Sequence, residues 1–283
     1  MPISSDKLQP ERISQLKDLA QEARIKVIEM LEKAKSGHPA GSLGMADVFT
    51  VLYFQILKFQ ANNPHWEDRD YLLLSNGHIC PILYAVLNMA GFFPAIELNT
   101  LRKINSRLQG HPHLGSLPGI ESTSGPLGQG ISQACGLALA LKRDSKKNRV
   151  FCITSDGEHQ EGQTWESYLF AAKYQLDNLT IIIDRNFIQI EGNTERVMPL
   201  EKLRNKIESF GIQTYEIDGH NIQQIVSVCK VAIKDGKPSA IIANTTPGKG
   251  VDFMENKYQW HGRAPNKNEA EIAIDQLKKP RIK

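Results

Sequence analysis

From residue 71 to residue 244 the chain repeats one arrangement, in which short apolar runs are separated by stretches with helical periodicity. The runs are Tyr71–Leu74, Val150–Thr154, Leu179–Asp184, Ile212–Ile217 and Ser239–Asn244. Helical patterns fall over Ile79–Met89, Ile131–Leu141, Thr164–Tyr174, a short stretch near Leu200, and Gln223–Lys234. Strands that alternate with helices form βαβ units, so the expected fold is α/β, a mostly parallel β-sheet with helices on both faces. An N-terminal helical segment precedes it. Apolar residues recur at Leu16, Leu19, Ala23, Val27, Met30 or Leu31, and Ala34, which predicts a helix over Leu8–Lys35 stopped by Gly37 and Pro39. Met45–Leu57 reads as a second amphipathic segment. With 283 residues, 41% of them hydrophobic, the whole chain 1–283 is expected to be a single domain with a well-buried core.

Composition narrows the function by exclusion. A net charge of +3 with no dense basic stretch gives nucleic acid no claim. No run of 18 apolar residues occurs, and Met1–Asp6 holds no apolar core of signal-peptide length, so a cytoplasmic protein without a membrane partner is expected. Cys80, Cys135, Cys152 and Cys229 lie far apart with no CxxC pair; Cys135 and Cys152 read as buried thiols.

Three irregular stretches stand out: Gln109–Gly130, Arg185–Pro199 and Thr245–Asn268. In open parallel sheets ligands bind beyond the carboxyl ends of the strands, and compact domains seldom keep loops of this length without a use for them. The strand Val150–Thr154 runs into Ser155-Asp156-Gly157-Glu158, and Leu179–Asp184 runs into Arg185-Asn186-Phe187-Ile188. One crossover separates Asp156 from Asn186. If their strands are neighbours, the strand ends lie roughly 5 Å apart, and a carboxylate and an amide oxygen converge at one sheet edge. Few, hard oxygen ligands suit Mg²⁺, which completes its octahedron with phosphate oxygens and water. Gly157 allows a phosphate to approach the backbone and offers an N–H. Taken alone, an Asp-Gly pair is most often a turn; its place after a strand, with the asparagine one crossover later, favours the ligand role.

Asp156-Gly157, about thirty residues and then Asn186 resemble the thiamine-diphosphate motif of transketolases and related enzymes, with Ser155 where the family usually has glycine. Ser36-Gly37-His38-Pro39 resembles the transketolase SGHP motif, and Leu74-Ser75-Asn76-Gly77-His78 its LSxGH motif. Gly110-His111-Pro112, Gly125-Pro126-Leu127-Gly128-Gln129-Gly130 and Trp260-His261-Gly262 match its GHP, GPLGQG and late-histidine elements. Each match is weak alone, but together, in order from His38 to His261, they are specific.

The resemblance implies the diphosphate-binding domain of a transketolase. Asp156, Asn186 and the carbonyl of Ile188 would hold Mg²⁺, or Ca²⁺ or Mn²⁺ in its place. Gly157 and Glu158 would meet the diphosphate of thiamine diphosphate, and His78 would lie near the diphosphate and the substrate path. Gly125 and Leu127 would line the cofactor pocket. His38 and His261 would flank the reacting carbon, His261 also touching the cofactor, and His111 would meet the donor's hydroxyls. Such histidines, titrating near neutrality, suit a reaction in which hydroxyl and carbonyl oxygens exchange protons. Glu161 would lie at a subunit contact.

A one-chain transketolase is about twice this length, and nothing here matches the pyrimidine-binding domain, its activating glutamate or the arginines for substrate phosphate. The resemblance therefore implies a split enzyme: an N-terminal subunit that moves a two-carbon ketol unit from a sugar or sugar phosphate, as in the pentose phosphate pathway, only with a C-terminal partner, in a heterotetramer. A 1-deoxyxylulose-5-phosphate synthase, one chain of a split 2-oxoacid dehydrogenase and a non-catalytic scaffold are the alternatives; the histidine set favours transketolase over all three. His65, His159 and His220 read as loop or satisfied polar groups. His113 stands where the family often has an acid, and Pro247 where it often has a basic residue, with Lys249 and Arg263 the nearby cations.

Overall fold

The computed structural model describes residues 7–279. The expectation on Met1–Asp6 lies outside the described residues, as do Pro280–Lys283. Helix α1, Pro10–Ala34, starts with proline in its first turn, where a missing N–H costs nothing, and buries Leu16, Ala23, Val27, Ile28 and Leu31. Pro39, expected only to stop a helix, opens the next one: α2 covers Pro39–Gly44 and α3 Ala46–Val51.

Strand β1 (Tyr71–Leu74) leads to α4 (Cys80–Met89), α5 (Gln129–Arg143) and β2 (Val150–Ser155). Then come α6 (Gly162–Lys173), β3 (Leu179–Arg185) and a hairpin of β4 (Ile188–Gln189) with β5 (Gly192–Asn193). The chain continues through α7 (Thr194–Val197), α8 (Leu203–Ser209), β6 (Gln213–Asp218), α9 (Ile222–Lys234), β7 (Ser239–Asn244) and α10 (Lys267–Lys278). The five-stranded sheet has the order β1-β2-β3-β7-β6, and every neighbouring pair in it is parallel.

Both sheet faces are apolar because side chains alternate along each strand. Phe151, Ile153, Ile182 and Ile241 join the core beneath α1, α3, α4 and α9, while Val150, Cys152, Ile181, Ile183 and Ile242 join the core beneath α5, α6 and α8. Each fully buried isoleucine or leucine contributes roughly 1.5–3 kcal/mol relative to exposure, so truncating Ile182 to alanine would open a cavity in the middle of the sheet. All four cysteines are buried and unbridged.

The sequence reading missed the β4–β5 hairpin, α7 and α10. The β4–β5 hairpin lies inside the stretch read as irregular, and strands of two residues leave no periodicity to detect. Helix α10 begins at Lys267, at the end of the last irregular stretch, and runs on to Lys278. Its start is marked by a capping box in which Asn266 accepts from the Glu269 N–H at 3.0 Å and Glu269 from the Asn266 N–H at 2.9 Å. Ala270, Ala273 and Leu277 are its buried positions, and it packs on α1.

Candidate active site

In the parallel register Ser155 stands beside Asp184, and the Asp156 N–H donates to the Asp184 carbonyl at 3.1 Å. The ends of β2 and β3 therefore lie side by side, and both loops leave from the same edge. Asp156 is fully buried. Its Oδ1 accepts from the Gly157 N–H at 2.8 Å, and its Oδ2 accepts from the Phe187 N–H at 2.7 Å and from Arg185 Nη1 at 3.1 Å. Asn186 donates from Nδ2 to Asp184 Oδ2 at 2.7 Å, which turns its amide oxygen toward the Ile188 N–H, 3.0 Å away. The other Asp184 oxygen accepts from the Thr245 hydroxyl, so the end of β7 joins the same network.

Above this edge lies a cavity of about 330 Å³. It is lined by His38, His78, His111 and His261, by Gly125 and Leu127, by Ser155 and Gly157, by Asn186 and Ile188, and by Glu161 on its exposed rim. Expected site residues far apart in sequence are thus gathered around one space. Two differ from their neighbours. Asp156 stays beneath the wall, paired with Arg185. The Glu158 carboxylate accepts from Ser75 Oγ at 2.5 Å, the Gly128 N–H at 2.7 Å and the Ser155 N–H at 3.0 Å. That side chain braces the Gly125–Gly130 loop against β1 and β2, so it is the main chain of Glu158 that is left to meet a ligand.

The histidines come from four separate loops. His38 precedes α2, and Ser42 Oγ donates to its carbonyl at 2.7 Å. His78 follows β1, and Gly77 is needed there because a Cβ would lie 2.6 Å from Ser124 Oγ. The late loop closes against His38 at Gly262, where a Cβ would come within 3.3 Å of the imidazole. Ring centroids are 5.2 Å apart for His38 and His78, 5.1 Å for His78 and His261, and 5.5 Å for His38 and His261. Burial and then the neighbouring imidazole of His261 push His38 down to about 4 and His78 well below its ordinary value. Burial, followed by the Arg102 charge, lowers His111, and burial lowers His261. All four are neutral at pH 7, each able to give or take one proton.

The carboxylates at the sheet edge show the reverse effect. Burial pushes Asp156 and Glu158 up to about 6, and Asp184 up to about 7. Among the described residues no group of three or more His, Cys, Asp or Glu side chains is placed to hold a metal. The hard oxygens here are fewer: the Asp156 carboxylate, the Asn186 amide and the Ile188 carbonyl. That set suits a cation completed by phosphate oxygens, and a cation would favour the charged form of the buried carboxylates. His38 Nδ1 is buried at the cavity without a partner, and so are both amide atoms of Asn76, two residues before His78, and Ser124 Oγ, next to Gly125. A polar ligand therefore fits the residues present.

The remaining histidines behave as read. His159 bonds the Ser155 carbonyl and the Tyr168 hydroxyl, both at 2.8 Å, and His220 bonds Asp47 at 2.9 Å. His65 and His113 are exposed. Lys249 is paired with Glu255 and Arg263 with Glu269. Sequence reasoning overlooked Arg185 and Asp184, although both stand between the two expected ligands at the end of β3.

A parallel α/β sheet with oxygen donors at its strand ends and neutral histidines above them defines a cofactor-dependent enzyme domain. The family model described as the thiamine diphosphate binding domain of transketolase matches residues 15–279. The chain is 41% identical over 253 residues to a 6-deoxy-6-sulfo-D-fructose transketolase subunit of Clostridium sp., covering 89% of this chain and 92% of that one. It is 36% identical over 265 residues to an apulose-4-phosphate transketolase subunit of Actinobacillus succinogenes, covering 93% and 96%. The transketolase structure from Campylobacter jejuni superimposes with a TM-score of 0.89 at 33% identity, over 94% of this chain but only 43% of that one. The chain belongs to the transketolase family, as its thiamine-diphosphate-binding domain, and corresponds to the N-terminal subunit of a two-chain transketolase. No helix among the described residues is long and apolar enough to cross a membrane.

Proposed function

We propose that this chain holds thiamine diphosphate for a transketolase that moves a two-carbon ketol unit from a ketose donor to an aldose acceptor, and does so only with a partner subunit. The observation that carries this reading is the packing of three neutral imidazoles within 5.5 Å of one another above the Asp156–Asn186 edge. Two relatives that match almost end to end are named as transketolase subunits of a sulfonated and a phosphorylated sugar, and a donor of that modified or phosphorylated kind is the substrate proposed here.

Asp156, Asn186 and the Ile188 carbonyl would hold Mg²⁺, and the Gly157 N–H would meet the diphosphate. Thiamine diphosphate, when bound, supplies the carbon that carries the ketol unit. His78 would lie by the diphosphate and the substrate path, with Gly125 and Leu127 as the pocket wall. His38 and His261 would pass protons to and from substrate oxygens beside the reacting carbon, and His111 would hold donor hydroxyls. Neutral imidazoles suit these roles because each carries one N–H and one free nitrogen.

The proposed partner brings the pyrimidine-binding domain and the activating glutamate, and the two chains form a heterotetramer with Glu161 at their contact. Support for a covering chain comes from the rim, where Leu127 is 37% and Ile190 74% exposed beside the cavity. The test is reconstitution. The isolated chain is expected to show no ketol transfer, and addition of the chain encoded beside it is expected to restore transfer. Transfer by this chain alone, in a preparation free of host transketolase, would overturn the proposal.

A further inference from the structure

Arg102 lies outside every motif that marks the site, yet it stands between two of them. It is a non-glycine residue with φ +60°, a conformation that persists where the surroundings over-determine it. Its N–H closes a loop onto the Leu108 carbonyl at 2.9 Å. From there the side chain reaches the two histidine-bearing loops. Nη1 donates to Ser36 Oγ at 2.9 Å, two residues before His38, and Nη2 points at the Gly110 carbonyl, 3.5 Å away and one residue before His111. Gly110 makes the approach possible, since a Cβ there would lie 2.8 Å from the guanidinium carbon. The same loop is pinned from the other side by α4, where the Tyr84 hydroxyl donates to the Gln109 carbonyl at 2.8 Å and the Cys80 thiol to the Gly110 carbonyl at 3.2 Å. No ion pair to Arg102 is found among the described residues, so its charge is met only by a hydroxyl and a carbonyl.

We propose that Arg102 is a positioning residue for the histidine set: its guanidinium clamps the Ser36–His38 turn to the Gly110–His111 loop and fixes how His38 and His111 face the cavity. The clamp also has an electrostatic side. Burial is the main reason that His38 and His111 resist protonation, and the Arg102 charge adds to it for both. His38 is faced by His78 and His261, with the charges of Arg102 and His111 also acting on it; His111 feels Arg102. A fixed cation at this point keeps the imidazoles neutral without touching the reacting atoms. This inference rests on the proposed roles of His38 and His111, so its test includes a readout that does not depend on turnover.

Three variants separate clamp from charge. Arg102→Met removes both; Arg102→Lys keeps the charge but lacks the fork that spans two loops; Ser36→Ala removes one anchor and leaves the arginine. Histidine titrations of the chain by NMR are expected to show the His111 midpoint rising toward 6.5 in Arg102→Met and staying at its wild-type value in Arg102→Lys and Ser36→Ala. In the reconstituted pair, kcat is expected to fall about tenfold or more in both arginine variants, and less in Ser36→Ala, with thiamine diphosphate affinity held within about twofold. An unmoved His111 midpoint in a folded Arg102→Met chain would overturn the electrostatic part. Full turnover in Arg102→Met, or parallel losses of turnover and cofactor affinity in all three variants, would overturn the clamp. If the wild-type pair shows no ketol transfer, the proposed function fails, while the titrations still decide whether Arg102 governs the histidines.

Discussion

The N–H of Phe187 donates to Asp156 Oδ2 at 2.7 Å, and this single bond ties the turn between Asn186 and Ile188 to a carboxylate 31 positions upstream. It forms because β2 and β3 are adjacent and parallel, with Ser155 beside Asp184. Arg185 strengthens the tie. Its guanidinium meets Asp156 at 3.1 Å and both Glu195 and Glu201 at 2.7 Å, so one buried cation links the sheet edge to the segment after the hairpin. The proposed metal ligands are thus set by sheet register, not by loop flexibility.

Asp184 is expected to matter for stability. Its carboxylate holds the Asn186 amide and the Thr245 hydroxyl in the interior. Asp184→Ala leaves two buried donors without an acceptor, at a cost of roughly 1–3 kcal/mol each. Urea unfolding of the cofactor-free chain checks this through a clearly lower midpoint; an unchanged midpoint would show that water or another group replaces the carboxylate.

A second buried network holds the late loop. Arg24 meets Asp47 at 2.5 Å, and Asp47 accepts from His220 Nδ1 at 2.9 Å, while His220 Nε2 accepts from the Thr246 N–H at 2.8 Å. Burial pushes the Asp47 carboxyl up, but Arg24 and His220 outweigh it and hold it well below the usual range. Asp47→Ala strands Arg24 in the core and is expected to cost about 3–5 kcal/mol. Thermal unfolding would register this as a large fall in Tm, whereas substitutions at half-exposed Lys249, in a surface ion pair with Glu255, should leave Tm almost unchanged.

The histidines give the chain an acid limit. In the folded state His38 sits at about 4 against 6.5 for a free imidazole. Between those values this imidazole binds a proton more readily in the unfolded chain than in the folded one, so its contribution to stability rises with pH across the window and falls as pH drops from 6.5 toward 4. The raised carboxyls of Asp156, Glu158 and Asp184 act in the opposite sense over the same window, so the check is a difference: relative to His38→Gln, the wild-type urea midpoint of the cofactor-free chain should lose ground as pH falls from 6.5 toward 4. Equal slopes in both proteins would place the acid sensitivity elsewhere, with buried His159 the next group to examine.

Catalysis and binding should separate at the histidines. His38→Ala and His261→Ala are expected to reduce kcat of the reconstituted pair by about a hundredfold while changing cofactor affinity only a few-fold, the range of general acid–base contributions. Kinetics and cofactor titration on the same preparations decide it. Equal losses in both would make the two residues pocket walls.

Most of the sheet was legible because its strands are apolar runs bounded by helical periodicity, and both signals survive without any tertiary information. The gathering of His38, His78, His111 and His261 was legible only through motif order, since nothing in the spacing of four separate loops fixes rings 5.1–5.5 Å apart. Pro39 misled because a proline that ends one helix also suits the first turn of the next. Helix α10 was missed although Asn266 and Glu269 form a readable cap, because its apolar positions are mostly alanine and give a weak stripe. The bracing role of the Glu158 carboxylate was not legible, because its partners Ser75 and Gly128 come from distant segments that sequence does not bring together. Arg102 left no trace, for its role depends on two loops meeting.

Calorimetry of thiamine diphosphate binding with Mg²⁺, on Asp156→Ala and Asn186→Ala with the partner chain present, tests the central claim most directly. If the two residues share one cation, each variant loses about a hundredfold or more of metal-dependent affinity, and the double variant loses little beyond either single one. Wild-type affinity in Asp156→Ala, or losses that simply add, would contradict a shared metal site at this sheet edge.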